Sequence, residues 1–335
     1  MIKRTSSSQA RAFDAAGPSG KAFLLSSLSV IDPIPTRPLQ AQTYERDIFI
    51  RYGGGYADSI NAWSLSYGDP TGGDAATQGS NNSEVGMVDV DIQQGTWKYF
   101  LWSKGFFISI LDLNRMKQAN DANMAPPFSL QELYDTVVHS SYEKFMDKTV
   151  YLGRGGQPGI VNNAAVAATT IAATGSSSGT TWASKTPVEM LLDLNTGIET
   201  ALSTSGYDQR EGMPNRQLVP WSVFTVLSQP MTTAGSISVK KYLEENNSAA
   251  LSGTPFQINP LPNDWVATQG VGATARSVVY RNDPAALDMT VALPPQIALT
   301  VPTSRNSGGY ETTYHANVGQ VRWKRPTTAL YLDGI

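Results

Sequence analysis

The sequence predicts an α+β fold in which strands and helices occupy separate runs instead of alternating. Three observations carry this. Residues 46–97 have strand-like ends around a Gly-, Ser-, Thr- and Asn-rich middle. Two helix starts are signalled by capping residues at Ser129 and Thr186. In the last third of the chain, β-branched and aromatic runs replace helical periodicity.

Residues 1–45 read as an arm. Gly17-Pro18, Asp32-Pro33, Ile34-Pro35 and Arg37-Pro38 punctuate a polar stretch and exclude helix. On composition the arm is disordered in isolation. The extension that follows has ends at Asp47–Arg51 and Val85–Ile92, and a middle from Gly68 to Ser83 that cannot build a core. A lone two-stranded ribbon is marginal in water, and its open edges invite pairing with other chains. Such an extension is expected to rest on a neighbouring molecule, which points to assembly rather than catalysis.

Thr96–Trp102 is an aromatic strand, and Phe106–Leu113 leads into a helix or turn. Pro126-Pro127 precedes a capping box of Ser129 and Glu132. Leu130, Leu133, Tyr134, Val137, Val138, Phe145 and Met146 then recur at three- and four-residue spacing. This predicts a helix of about 23 residues, roughly 35 Å long, ending near Gly153. On this reading Val137→Asp prevents formation of a soluble subunit. Leu152–Asn163 is a loop opening into an Ala/Thr-rich region. Thr186 at N-cap, Pro187 at N1 and Glu189 at N3 start a second helix. Its stripe is Met190, Leu191, Leu194, Ile198 and Leu202, and Gly206 sits at C′. Leu218–Pro220 is a short strand, and helices follow through Phe224 and Leu227 and over Ile237–Glu245. Ser277–Tyr280, Leu287–Leu293, Ile297–Val301 and Val321–Lys324 are strands. There is no internal repeat, which disfavours solenoids, propellers and triple-β fibres.

Apolar residues make up 41% of the 335 and charged residues 16%, the latter below the roughly 25% of ordinary soluble domains. The net charge of −3 and pI near 5.5 exclude a generally basic, nucleic-acid-coating protein. Near-neutrality suits many copies packed together. The absence of cysteine excludes disulfides, a thiolate nucleophile and Cys-ligated zinc. Lys3 and Arg4 are followed by polar Thr5–Gln9, so no signal peptide is expected. Ala164–Ala173 is too short and Thr-rich to span a bilayer, so a soluble chain with no membrane partner is expected.

The chemistry-bearing residue types do not converge. His139 falls on the long helix and His315 in a strand-like segment, and both read as structural. Gly175–Gly179 matches G-x-S-x-G around Ser177, but it sits in a low-complexity run rather than on a strand-to-helix turn. Asp89 and Asp91 share a strand face without a third ligand, so solvated carboxylates are expected and no metal. Gly53-Gly54-Gly55 lacks the lysine and helix of a phosphate loop, and Gly153–Gly159 lacks dinucleotide spacing. Arg322, Lys324 and Arg325 form a small basic patch that fits a phosphate backbone, an acidic neighbour or, by default, a solvated strand face. No catalytic, cofactor-binding or metal residue is assigned, and no cofactor or enzyme activity is expected.

The order of parts resembles the major capsid proteins of tailed bacteriophages, the Hong Kong 97-type fold. The resemblance is carried by Tyr151-Leu152-Gly153 before Gly159–Asn162, and by Thr186-Pro187 leading to Leu192–Asn195. Tyr242-Leu243 before Asn246-Asn247, and Arg325-Pro326 before Tyr331–Ile335, complete it. It is most similar to a subfamily without a long cleaved N-terminal scaffold. The resemblance implies an N-arm (residues 1–45), an E-loop (46–97), a peripheral domain with a long spine helix (98–160 and 296–335) and an axial domain (161–295). It further implies hexamers and pentamers closing into an icosahedral head around double-stranded DNA, assembled in the host cytoplasm and resident in the virion. Portal, scaffolding or decoration proteins are the other implied partners. An encapsulin-like compartment is the alternative within the fold. A β-rich attachment protein and, last, a serine hydrolase using Ser177 are alternatives outside it. Some relatives crosslink through an E-loop lysine, whereas no lysine occurs between Asp47 and Trp97 here. A non-covalent shell is therefore expected, at least through that loop.

Overall fold

A computed structural model describes residues 42–68, 89–121, 130–175, 178–231, 237–304 and 308–335. The arm up to residue 41, the middle of the extension, Pro126-Pro127, Ser129 and Ser177 lie outside the described residues. The chain has mixed helix and sheet content, in the order α1 (Tyr44–Asp47), β1 (Phe49–Tyr52), β2 (Ser59–Gly68), β3 (Asp89–Lys98), β4 (Phe100–Ser109), α2 (Ile110–Asp121) and α3 (Leu130–Leu152). There follow β5 (Ala167–Thr170), α4 (Pro187–Thr204), β6 (Arg216–Pro220), α5 (Trp221–Leu227), α6 (Val239–Asn246), α7 (Ser248–Leu251), β7 (Gln257–Leu261) and α8 (Asn263–Val266). The chain ends in β8 (Arg276–Tyr280), β9 (Leu287–Thr303), β10 (Gly309–Trp323) and β11 (Ala329–Asp333).

Two compact units divide these elements. The smaller takes Trp102–Lys144 and Pro295–Ala316, and the larger takes 42–101, Phe145–Pro294 and Asn317–Ile335.

The larger unit contains a five-stranded sheet in the order β5-β11-β8-β6-β7. β11 pairs parallel with β5 and antiparallel with β8, and it is buried along its whole length. Helix α4 covers this core because its sequence places apolar residues on one side. Met190, Leu194, Ile198 and Ala201 are buried against Trp182, Val279, Leu330 and Leu332. The Thr186 hydroxyl accepts from the Glu189 amide while the Glu189 carboxylate accepts from the Thr186 amide, so the predicted capping box forms at α4. Gly206, at φ +76°, takes the left-handed position beyond the helix end. Inside this core Lys185 Nζ lies 2.6 Å from Asp193, which also accepts from the Trp182 indole N–H. Burial pushes the Asp193 pKa up, opposed by Lys185.

Asp47 was expected to lie on a strand. It instead closes the one-turn helix α1, with a fully buried carboxylate. Tyr151 Oη and Asn259 Nδ2 donate to it at 2.6 and 2.9 Å, Arg46 and Arg216 neutralise it, and Tyr280 Oη donates to its carbonyl. Five distant partners, not local propensity, set this conformation.

A second sheet has the order β1-β9-β10-β4. Phe49–Tyr52, expected to be one end of the ribbon, pairs in parallel with Asp288–Val291 of β9. The two strands expected at Leu287–Leu293 and Ile297–Val301 are one 17-residue strand running through Pro294-Pro295. Proline's fixed φ is compatible with extended backbone, at the loss of one N–H each.

α3 spans 23 residues, as its periodicity predicts. Its buried stripe is Val138, Tyr142, Met146 and Val150, whereas Leu133 is 38% and Val137 53% exposed. Four-residue spacing from Val138 onward therefore defines the covered face, and Val137 points away from it. In the smaller unit Tyr142 packs edge-on to Trp102, Tyr134 stacks on Phe106, and Tyr314 Oη donates to Asp135.

Candidate assembly surfaces

β2 and β3 form a separate two-stranded ribbon. Register places Trp63 opposite Gln94, Leu65 opposite Ile92 and Tyr67 opposite Val90. Directly opposed residues share a face. One face therefore carries Trp63, Leu65, Tyr67, Val90 and Ile92, and the other carries Asp89, Asp91, Gln93, Gly95 and Trp97. Trp63, Val90 and Ile92 are 66%, 52% and 58% exposed. The Trp97 ring lies across Gly95, where a Cβ would come within 2.4 Å of it, so this position requires glycine.

The ribbon's root is clamped. Gly53-Gly54-Gly55, all at positive φ, turn the chain out of β1 while Gly53 and Gly55 donate to Val291 and Ala292. The Asn317 amide, largely buried, donates to the carbonyls of Gly55 and Ala57. These glycines serve a backbone turn, in line with their lack of phosphate-loop features.

The basic patch has a partner that its local sequence does not reveal. Asp288, fully buried, accepts two bonds of 2.8 Å from Arg322 and one of 2.8 Å from Lys324, with Arg51 Nε at 3.2 Å. Arg322 is buried and near the Trp97 ring (5.9 Å), Lys324 is partly buried and Arg51 is half exposed. Arg325 departs from the group and pairs with Glu211. The default expectation of a solvated strand face is thus corrected at Arg322, because an unpaired buried carboxylate is costly and draws in cations.

A family model described as major capsid protein matches residues 73–335. The chain belongs to the major capsid protein family. Among solved structures, the capsid of Myoviridae phage XM1 is similar at 17% identity and a TM-score of 0.69, over 92% of this chain and 97% of that one. Microbacterium phage Oxtober96 is similar at 10% identity and 0.58, over 91% and 95%. A virus-like particle from Pyrococcus furiosus is similar at 14% identity and 0.51, over 93% and 97%. No curated protein matches the sequence. The fold of this major capsid protein is the α+β, Hong Kong 97-like one, and its place is the capsid of a virion.

The remaining singled-out residues of this capsid protein are not brought together. His139 is half exposed, with Nε2 4.0 Å from Asp135 on the same helix and its ring edge-on to Tyr314. Burial and Asp135 push Tyr314 up to about 12. His315 lies in β10 and is partly buried. Asp91 is exposed and accepts from Gln93. Among the described residues no group of three or more His, Asp or Glu is placed to hold a metal, and no helix is long and apolar enough to cross a membrane. Sequence reasoning missed Trp63, although the alternation Trp63, Leu65, Tyr67 marks a one-sided strand. It also missed Asp288 and Asn317, which carry no local signal.

Proposed function

We propose that copies of this chain assemble as hexamers and pentamers into an icosahedral phage head around double-stranded DNA, built in the host cytoplasm. The observation that carries this is the ribbon. A member of the major capsid protein family extends two strands whose apolar face, with Trp63, Val90 and Ile92, its own described residues leave exposed. Burying that face on the next copy supplies hydrophobic stabilisation in proportion to area. Heterologous contacts of this kind close into rings. On this reading residues 1–45 are the N-arm, 46–97 the E-loop, 98–160 with 296–335 the peripheral domain and 161–295 the axial domain. Portal, scaffolding and decoration proteins are the further partners, contact with DNA is non-specific, and the protein performs no catalysis.

Electron microscopy and sedimentation of the purified protein test this. Rounded shells containing nucleic acid are expected. A compact, protease-resistant monomer at every concentration overturns the reading, and shells filled with an enzyme replace it with a cargo compartment.

A further inference from the structure

Charge is unevenly divided between the ribbon and the sheet it springs from. From Ser59 to Trp97 the chain holds Asp69, Asp74, Glu84, Asp89 and Asp91, and no lysine, arginine or histidine. All five lie in the distal part, beyond the pairing of Leu65 with Ile92. Among the described residues no cation pairs with Asp91, whose one hydrogen-bond partner is Gln93. The cluster around Asp288 has the opposite imbalance. Arg51, Arg322 and Lys324 surround one carboxylate, leaving two positive charges uncompensated. Arg51 touches Asp288 through Nε, is half exposed, and has no other acceptor among the described residues, so its terminal nitrogens face outward unpaired.

The ribbon does not reach the cluster of its own chain. Trp97, at the ribbon's root, lies against Arg322. Asp91 is six residues further along an extended strand, about 20 Å away at roughly 3.3 Å per residue. We infer that the acidic distal end of the ribbon docks on the Arg51–Arg322–Lys324 cluster of a second copy, as an ionic clamp between subunits. The inference rests on the assembly reading and adds the chemistry that sets where the ribbon lands. The apolar face contributes burial, which is indifferent to register, and the charge pairing selects one landing site. Such a clamp suits a ribbon with no lysine to crosslink.

The test uses full-length protein and measures the concentration needed for shell formation by light scattering, with particles checked by microscopy. Raising salt from about 0.1 to about 1 M shortens the screening length from about 10 to about 3 Å and is expected to raise that concentration about tenfold. Asp89→Lys with Asp91→Lys, on the exposed ribbon, is expected to do the same at low salt, and so is Arg51→Glu. Combining Arg51→Glu with the two ribbon reversals is expected to recover most of the loss. Arg51→Gln serves where Arg51→Glu proves unstable by thermal melting, and the ribbon variants read out the clamp independently. If wild-type shells form and neither salt nor any reversal changes their threshold, the clamp is wrong while the assembly reading stands. If the combined variant shows no recovery, the two groups are not partners. If Arg51→Glu leaves the threshold unchanged but lowers the DNA retained, the cluster meets phosphate instead. Failure of wild-type protein to form any shell overturns the assembly reading itself.

Discussion

The five-stranded sheet and the two-stranded ribbon use the same residue types to opposite ends. In the sheet, β11 is buried along its whole length, and α4 seats Leu194 and Ile198 on it at 0% and 1% exposure. In the ribbon, Trp63 and Ile92 stand in the open. Three or more strands with a covering helix can bury a face within one chain, and two strands cannot. The difference teaches that this chain folds in one part and waits for a partner in another. Covered and uncovered faces even alternate along α3, where Val138 is enclosed and its neighbour Val137 is not.

Breaking the covered side gives the largest effects. Val138→Asp places an unpaired charge among buried groups and is expected to cost more than about 4 kcal/mol and abolish soluble protein. Val137→Asp is expected to change folding by less than about 0.5 kcal/mol. This reverses the expectation from sequence, and denaturant titration of the two variants decides it. Leu194→Ala should cost about 2–5 kcal/mol by the same measurement.

Alkali sharpens the contrast next. Burial first, then the Asp47 carboxylate, holds the Tyr151 and Tyr280 phenols well above the usual tyrosine range, and burial does so for Tyr331. Raised folded pKa values mean full stability below about pH 10 and a loss as pH rises beyond it, because the unfolded chain releases those protons first. Unfolding midpoints that stay flat above pH 10, with no phenolate absorbance rising on unfolding, would contradict the buried placement.

A smaller effect belongs to the α4 cap. Thr186→Ala should cost about 1 kcal/mol. The Thr186 amide and hydroxyl hold the Glu189 pKa below its usual value. The carboxylate's contribution is therefore complete above about pH 4.3 and is lost as pH falls through the lower folded value. An acid titration in which Glu189→Gln matches wild type across that window removes the capping box from the account. The smallest effect on folding and the largest on assembly are expected together at Trp63→Ala. Its unfolding midpoint should stay within about 0.5 kcal/mol of wild type, while shell formation by sedimentation is lost. A variant that assembles normally refutes a role for the ribbon's apolar face.

Local signals were legible wherever the physics is local. Thr186, Pro187, Glu189 and Gly206 bounded α4, and the span of α3 followed from its periodicity and Gly153. The ribbon was visible as strand-like segments that no core could cover, although its first strand proved to be Ser59–Gly68 and not Asp47–Arg51. The face of α3 was misread by one residue, because Val137 and Val138 are equally apolar and only their neighbours tell them apart.

What the sequence by itself determined is where helices start and stop, that cysteine chemistry is absent, and that two strands lack a core. These depend on residues within a few positions of one another. The tertiary structure alone decided that β9 runs on through Pro294-Pro295, that Asp47 is buried under Tyr151 and Asn259, and that Arg322 and Lys324 serve Asp288 instead of solvent. Each joins groups that periodicity cannot connect, and the cost of leaving a buried carboxylate unpaired is what brings them together.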